Sequence, residues 1–252
     1  MIEVVGKDCT LALGDCIKKL KEINDNTVDL VLTDPPYNLG LFMKGRDTNL
    51  GALRENHFVA SSWDNDEQAQ WEKHMNEFFR ESARVLNKGG AIVVFMAVIK
   101  VETLIRIAQE NGFYYKTTGS WHKTNPMPRN MNLHFINSTE SWVYFVYGKK
   151  TGKFNNKGKA VHDFIETSVI NNGEKKHGKH PTQKPVKLME HFVELLSDKG
   201  DLVLDPFMGS GSTGVAVLNL NRQFYGIELS EEYFRVASLR VASLLEDSKA
   251  KT

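Results

Sequence analysis

Short runs of branched apolar residues alternate along this chain with longer stretches in which apolar positions recur at helical spacing. "VDLVLTD" at 28–34, "AIVVFMA" at 91–97 and "DLVLDPF" at 201–207 have the length and β-branched content of buried parallel strands. "ALGD" at 12–15 and "FYGIEL" at 224–229 carry a weaker form of the same signal. Between them, Trp71, Met75, Phe78, Phe79 and Leu86 share one helical stripe, which "NKGG" at 87–90 should end. Val101, Leu104, Ile105 and Ala108 share another, ended by Gly112. Ser230 is placed to cap a third helix whose first turn holds Glu231 and Glu232. The alternation predicts an α/β domain with a mostly parallel sheet wound on both faces.

Three segments break the rhythm. Residues 39–66 are polar with no sustained period, and predict a mobile loop. Residues 113–147 hold "FYYKTTGSWHK" and "SWVYFVYG", which predict an antiparallel hairpin with Trp121 and Trp142 in its packing. Residues 148–180 are rich in lysine and read as an inserted loop.

Composition narrows the class. A length of 252 residues suits one domain over 1–252. No apolar run reaches a membrane span and the first residues lack a signal-peptide layout, so a cytoplasmic protein away from membranes is expected. Cys9 and Cys16 lack metal-type spacing and read as reduced thiols, and no metal is expected. A net charge of +1 announces no polyanion partner. Residues 149–179 nevertheless carry eight lysines against three acids, which favours phosphate contact only beside a nucleic-acid chemistry.

The candidate chemistry sits where strands end. "DLVLDPF" runs into "MGSGSTG", so Asp205 and Phe207 lead into closely spaced Gly209, Gly211 and Gly214, with Ser210 between the first two. Strand, glycine turn, helix is the layout of a nucleotide site. Glu228 ends the next strand, where a carboxylate can bind ribose hydroxyls. The turn lacks the Lys-Ser/Thr of a phosphate loop and departs from G-x-G-x-x-G spacing. An adenosine-bearing ligand without an essential pyrophosphate remains, and S-adenosyl-L-methionine fits. At the end of 28–34 stands "DPPY": Asp34, Pro35, Pro36 and Tyr37. The prolines fix φ and hold the Asp34 carboxylate and the Pro35 carbonyl as two rigid acceptors. Such a pair can take both N–H donors of a planar amino group and expose its lone pair to an electrophilic methyl. Tyr37 can stack on the base that carries it, worth roughly 1–3 kcal/mol.

At this point the sequence resembles the amino-group DNA methyltransferases. The order "DPPY", then "HPTQKP" at 180–185, then "DPFMGSGSTG" at 205–214 is similar to the β class, whose halves are circularly permuted. "WHKTNPMP" at 121–128 is similar to the family's segment near the flipped base. The resemblance covers about residues 10–245. It implies a Rossmann-like, S-adenosylmethionine-dependent fold, with residues 148–179 as a small target-recognition insertion. It further favours adenine as the base without excluding cytosine, since members acting on cytosine more often carry Ser in place of Asp34; the alternatives are a cytosine amino-group methyltransferase and a catalytically silent DNA-binding module. The base is flipped out and the methyl passes directly, with no covalent enzyme intermediate. The site residues follow by position: Asp34, Pro35, Pro36 and Tyr37 for the chemistry, and Asp34, Asp205, Phe207, Gly209, Ser210, Gly211 and Glu228 around the cofactor. Asp15 and Cys16 would lie beside its adenine. His180 and Lys184 could shape the cofactor's carboxylate site or cap the following helix. The resemblance also implies DNA as partner, double- or single-stranded, and allows a homodimer and a cognate restriction endonuclease, in a bacterium or encoded by its phage.

Overall fold

The computed structural model describes residues 2–4, 6–39, 67–128, 132, 135–170, 173–178 and 180–249. In chain order the elements are β1 (Ile2–Val4), β2 (Cys9–Leu13), α1 (Cys16–Leu20), β3 (Val28–Thr33), α2 (Gln68–Val85), β4 (Leu86–Met96), α3 (Val101–Glu110), β5 (Phe113–Lys123) and β6 (Thr139–Tyr147). They continue with β7 (Phe164–Thr167), α4 (Val186–Leu196), β8 (Leu202–Asp205), α5 (Ser212–Asn219), β9 (Gln223–Glu228) and α6 (Glu231–Lys249).

All these strands join one sheet in the order β1-β2-β9-β8-β3-β4-β6-β5-β7. β1 runs antiparallel to β2, and β6 antiparallel to both β4 and β5. The remaining pairs are parallel. Strict alternation puts the two faces of each central strand into different cores. On β4, Ile92, Val94 and Met96 pack with α1, α2 and α3, while Ala91, Val93 and Phe95 pack with α4, α5 and α6. The result is the three-layer, doubly wound architecture that the sequence pattern implied.

Strand order also locates a ligand site. β3 leads to β4 on one side, and β8 leads to β9 on the other. The direction of winding therefore reverses between β3 and β8, and ligands of open α/β sheets bind outside the carboxyl ends of strands at such a point. Leu30 pairs with Val203 and Val31 with Leu204 across this junction. Just above, the buried Thr33 hydroxyl donates to Asp205 at 2.8 Å. "DPPY" and "DPFMGSG" thus leave the sheet on either side of one crevice.

Some boundaries differ from expectation. Leu86 begins β4 instead of closing the helix, and "NKGG" lies within the strand as a bulge: the register jumps from Val28 opposite Leu86 to Leu30 opposite Ala91. The Lys-rich insertion is not all loop, because Phe164–Thr167 pairs with Ser120–Lys123 as the edge strand β7. Its early lysines lie at the amino end of the parallel strands, opposite the crevice. There Lys153 pairs with Asp198 at 3.1 Å and also with Asp201, and Lys157 pairs with Glu194 at 3.3 Å. These acids already pair with two of the five lysines at 149–159. Lys175 lies instead in a short 3-10 turn (Gly173–Lys175) after β7, on the crevice side. The expected mobile loop 39–66 falls, apart from Leu39, outside the described residues. No helix among the described residues is long and apolar enough to cross a membrane.

Candidate active site

β3 delivers Asp34 at its carboxyl end, and the following prolines turn the chain over the crevice. The Trp71 indole donates to the Pro36 carbonyl at 3.2 Å and pins the turn to α2. Asn38 closes it in the left-handed region (φ 53°), a conformation asparagine tolerates. The Tyr37 hydroxyl donates to Asp34 Oδ1 at 2.5 Å, and the Tyr37 ring packs against both cores. Asp34 keeps 19 % of its side chain exposed, so its carboxylate is walled in but reachable.

The other Asp34 oxygen, Oδ2, accepts from the buried ammonium of Lys184. Lys184 also lies 3.1 Å from Glu140 on β6, and Glu140 in turn pairs with Lys123 at the end of β5 at 2.6 Å. Two lysines and two carboxylates form one balanced cluster at the crevice. Burial pushes the Asp34 carboxyl up, and Lys184 pulls it back toward the charged form. Burial would discharge Lys184, but Asp34 and Glu140 raise its pKa instead. At Glu140 burial is outweighed by Lys184 and Lys123, and the carboxyl falls from the ordinary 4.5 to about 2. A carboxylate depressed on folding adds stability above its unfolded pKa and loses it as pH falls toward the folded one. The Glu140 contribution should therefore disappear between 4.5 and about 2. Denaturant titrations across that window should show stability falling in the wild type, with a flatter dependence in Glu140→Gln. Parallel curves would exclude Glu140 as the source.

On the far side of the crevice the glycine turn is fixed by its own amides. Phe207 N donates to Asp205 Oδ1 at 3.1 Å, Met208 N to the Ile227 carbonyl at 2.9 Å, and Gly211 N to the Met208 carbonyl at 2.8 Å. Gly209 N donates to Glu228 Oε2 at 2.9 Å, while Ser230 N donates to Oε1 at 2.8 Å. An anion cradle needs such amides pointed outward, and these are spent internally. The turn therefore suits a ligand held by its sugar, not by phosphate. Each Glu228 oxygen retains acceptor capacity for a ribose hydroxyl. The site thus fits S-adenosylmethionine, with Glu228 available to its ribose. The glycines serve the turn more than ligand approach: Gly209 (φ 51°) and Gly211 (φ 78°) are left-handed. A Cβ would come 3.2 Å from the His180 ring at Gly209 and 3.0 Å from Ala237 at Gly211.

The remaining expected residues divide. Asp15 lies at the carboxyl end of β2, beside β9, where Gly14 N donates to the Glu228 carbonyl at 2.8 Å. Its side chain caps α1 by accepting from Lys18 N at 3.0 Å. Burial pushes the Cys16 thiol well up, so the residue can act there only through its backbone. Asp205 lies beneath the crevice, not in it. It accepts from Thr213 at 2.6 Å as well as from Thr33, and burial raises its pKa to about 6. Phe207 packs on Phe78, ring centroids 5.8 Å apart. Neither His180 nor Lys184 caps α4; Glu174 does, accepting from Val186 N at 3.0 Å. His180 packs on Tyr233 with centroids 4.3 Å apart, and burial, then Lys184 and Arg240, lower its pKa to about 4. A neutral imidazole is a weak partner for a cofactor carboxylate. Glu140, Lys123 and Arg240 were missed, although an acid opening the aromatic strand "TESWVYFVY" was a visible clue to the first.

Comparison with known proteins agrees with this geometry. A family model described as DNA methylase, for N6 and N4 methylation, matches residues 28–239. The chain is 30% identical to Type II methyltransferase M2.MboI of Moraxella bovis, over 93% of this chain and 88% of that protein. It is also 30% identical to Type II methyltransferase M2.DpnII of Streptococcus pneumoniae, over 92% and 88%. A crystal structure of the M1.HpyAVI–SAM complex superposes with a TM-score of 0.71 at 28% identity, covering 92% of this chain and 98% of that one. The cytosine-N4-specific PvuII DNA methyltransferase superposes at 0.73 with 19% identity, over 95% and 92%, and shows the shared fold. The chain belongs to the amino-group DNA methylase family and is an S-adenosylmethionine-dependent DNA methyltransferase.

Proposed function

We propose that this enzyme methylates the exocyclic amino group of adenine in DNA. The observation that carries the proposal is the rigid Asp34 carboxylate at the switch point, facing the glycine turn across one crevice. Bound S-adenosylmethionine supplies a methyl activated by its sulfonium. Glu228 accepts from the cofactor ribose, with Asp15 and Cys16 near its adenine and Phe207, Gly209, Ser210 and Gly211 lining its other end. A base inside a duplex is out of reach, so it is flipped out at a cost of a few kcal/mol. Asp34 accepts one amino N–H and the Pro35 carbonyl the other, with Pro36 keeping both acceptors in place. Tyr37 gives up its bond to Asp34 and stacks on the entering base. Lys184 pulls Asp34 toward the ionised form, which is the stronger acceptor. DNA phosphates meet the crevice-side part of the insertion, around Lys175 and Lys176. Action in a bacterial cytoplasm, a homodimer and a cognate endonuclease complete the proposal.

The test is chemical. The enzyme is incubated with methyl-labelled cofactor and unmethylated DNA, the DNA is digested to nucleosides, and the labelled base is identified. Label in N6-methyladenine is expected. Label confined to methylated cytosine would overturn the adenine assignment and leave the family intact.

A further inference from the structure

Arg240 lies on α6, outside every motif named so far, and its side chain is only 5 % exposed. One terminal guanidinium nitrogen donates to the Ser210 carbonyl at 2.8 Å. The same nitrogen is 3.1 Å from the Ser210 hydroxyl and 3.1 Å from the Ser212 hydroxyl. Glu174 Oε2 faces the other terminal nitrogen at 4.0 Å.

A cation is electrostatically misplaced here. Ser212 opens α5, and the amides of a helix start present positive dipole ends that disfavour a nearby cation. Burial also disfavours the charged guanidinium, with Glu174 opposing that effect. Its contacts must hold it in place, and those contacts are the glycine turn. Gly209 and Gly211 put the backbone on both sides of Ser210 into left-handed conformations. Glycine is free to leave such conformations, so the turn's own amide bonds gain from a second constraint at Ser210. The next amide bond along is the one from Gly209 to Glu228.

We propose that Arg240 is a positioning residue for cofactor binding. One terminal nitrogen of its guanidinium fixes the Ser210 carbonyl and hydroxyl while the other faces Glu174, and this keeps Gly209 on Glu228 in the arrangement that receives the ribose. The inference rests on reading this turn as the cofactor site. Arg240 touches neither Glu228 nor Asp34, so its effect belongs to cofactor affinity and not to the transfer step. Lysine at this position keeps the charge but has one nitrogen on a flexible stem, so it cannot hold Ser210 and face Glu174 together.

Arg240→Lys and Arg240→Gln are purified as full chains and compared by thermal melting. Binding of S-adenosylmethionine and of S-adenosylhomocysteine is measured by titration calorimetry, beside steady-state kinetics. Losing buried hydrogen bonds to a charged donor should raise Kd for both ligands about tenfold in Arg240→Lys and further in Arg240→Gln. KM for the cofactor should rise in step, while kcat at saturating cofactor and KM for DNA stay within about twofold of wild type. If Arg240→Gln does not fold, Arg240→Lys decides alone. Unchanged Kd in Arg240→Lys, or a fall in kcat without a rise in cofactor KM, would overturn the inference. Wild-type protein that binds neither ligand would overturn the reading of the turn itself, and the inference with it.

Discussion

Asp34→Ala should all but abolish methyl transfer while leaving S-adenosylmethionine binding near the wild-type level. On the proposed reading the cofactor anchor is Glu228, which belongs to β9 and is oriented by Gly209 and Ser230, none of which touches Asp34. The amino group of the flipped base, on the same reading, has Asp34 as its charged acceptor. Removing one preorganised hydrogen-bonding group from a transition state typically costs about 10²–10³ in kcat. Alanine should cost at least about 10³, since it also leaves Lys184 with one carboxylate fewer in a buried cluster. Asp34→Asn separates the two effects. Asparagine keeps one carbonyl acceptor, so it should retain more activity than alanine, although its amide must either face Lys184 or displace Tyr37. Calorimetry with the cofactor and label transfer to DNA read the two halves of the expectation. Turnover within tenfold of wild type in the alanine variant would remove Asp34 from the chemistry.

That expectation could be written almost entirely from the sequence, because "DPPY" carries its geometry in its own residues. Proline restricts φ locally, so the rigidity of Asp34 needs no tertiary information. The same holds for the buried strands β3, β4 and β8, whose apolar runs are short and dense. The misses share the opposite character. β7 has four residues of alternating exposure and exists because β5 offers an edge, which no local pattern announces. Leu86 fits the helical stripe, yet Leu86 itself is extended (ψ 138°) and pairs with Val28. Lys184 reads as a helix-start residue until the fold brings it to Asp34, 150 positions away in sequence. Arg240 and Glu140 were hidden for the same reason: each side chain takes its meaning from a partner distant in the chain. The lysine count of 149–179 is incomplete in another way, because charge composition does not record that Lys153 and Lys157 already face Glu194, Asp198 and Asp201.

Lys184→Met should lower activity, move the acid limb of the rate profile to higher pH, and destabilise the fold by an amount that shrinks as pH falls. In the wild type, burial raises the Asp34 carboxyl while Lys184 holds it toward ionisation. Methionine preserves bulk and removes the charge, so burial and the neighbouring Glu140 then act on Asp34 against the Tyr37 hydrogen bond alone. Its folded-state pKa rises, and the ionised acceptor is lost at a higher pH than before. Stability follows from the same shift. Breaking one partner out of a buried ion pair typically costs about 3–5 kcal/mol at neutral pH. Acid reverses part of that loss in the variant, because a carboxyl whose folded pKa lies above its unfolded value stabilises the fold once protonated. Acid works against the wild type, where Glu140 is held at about 2 and loses its contribution below 4.5. Wild-type and variant stabilities should therefore converge as pH falls. Denaturant unfolding at neutral and at mildly acidic pH, beside kcat/KM against pH, measures both effects. The alternative role, with Lys184 binding the cofactor carboxylate, predicts another pattern: a raised cofactor KM with the acid limb unmoved. That pattern, or a stability gap constant with pH, would show that Lys184 does not govern the charge of Asp34.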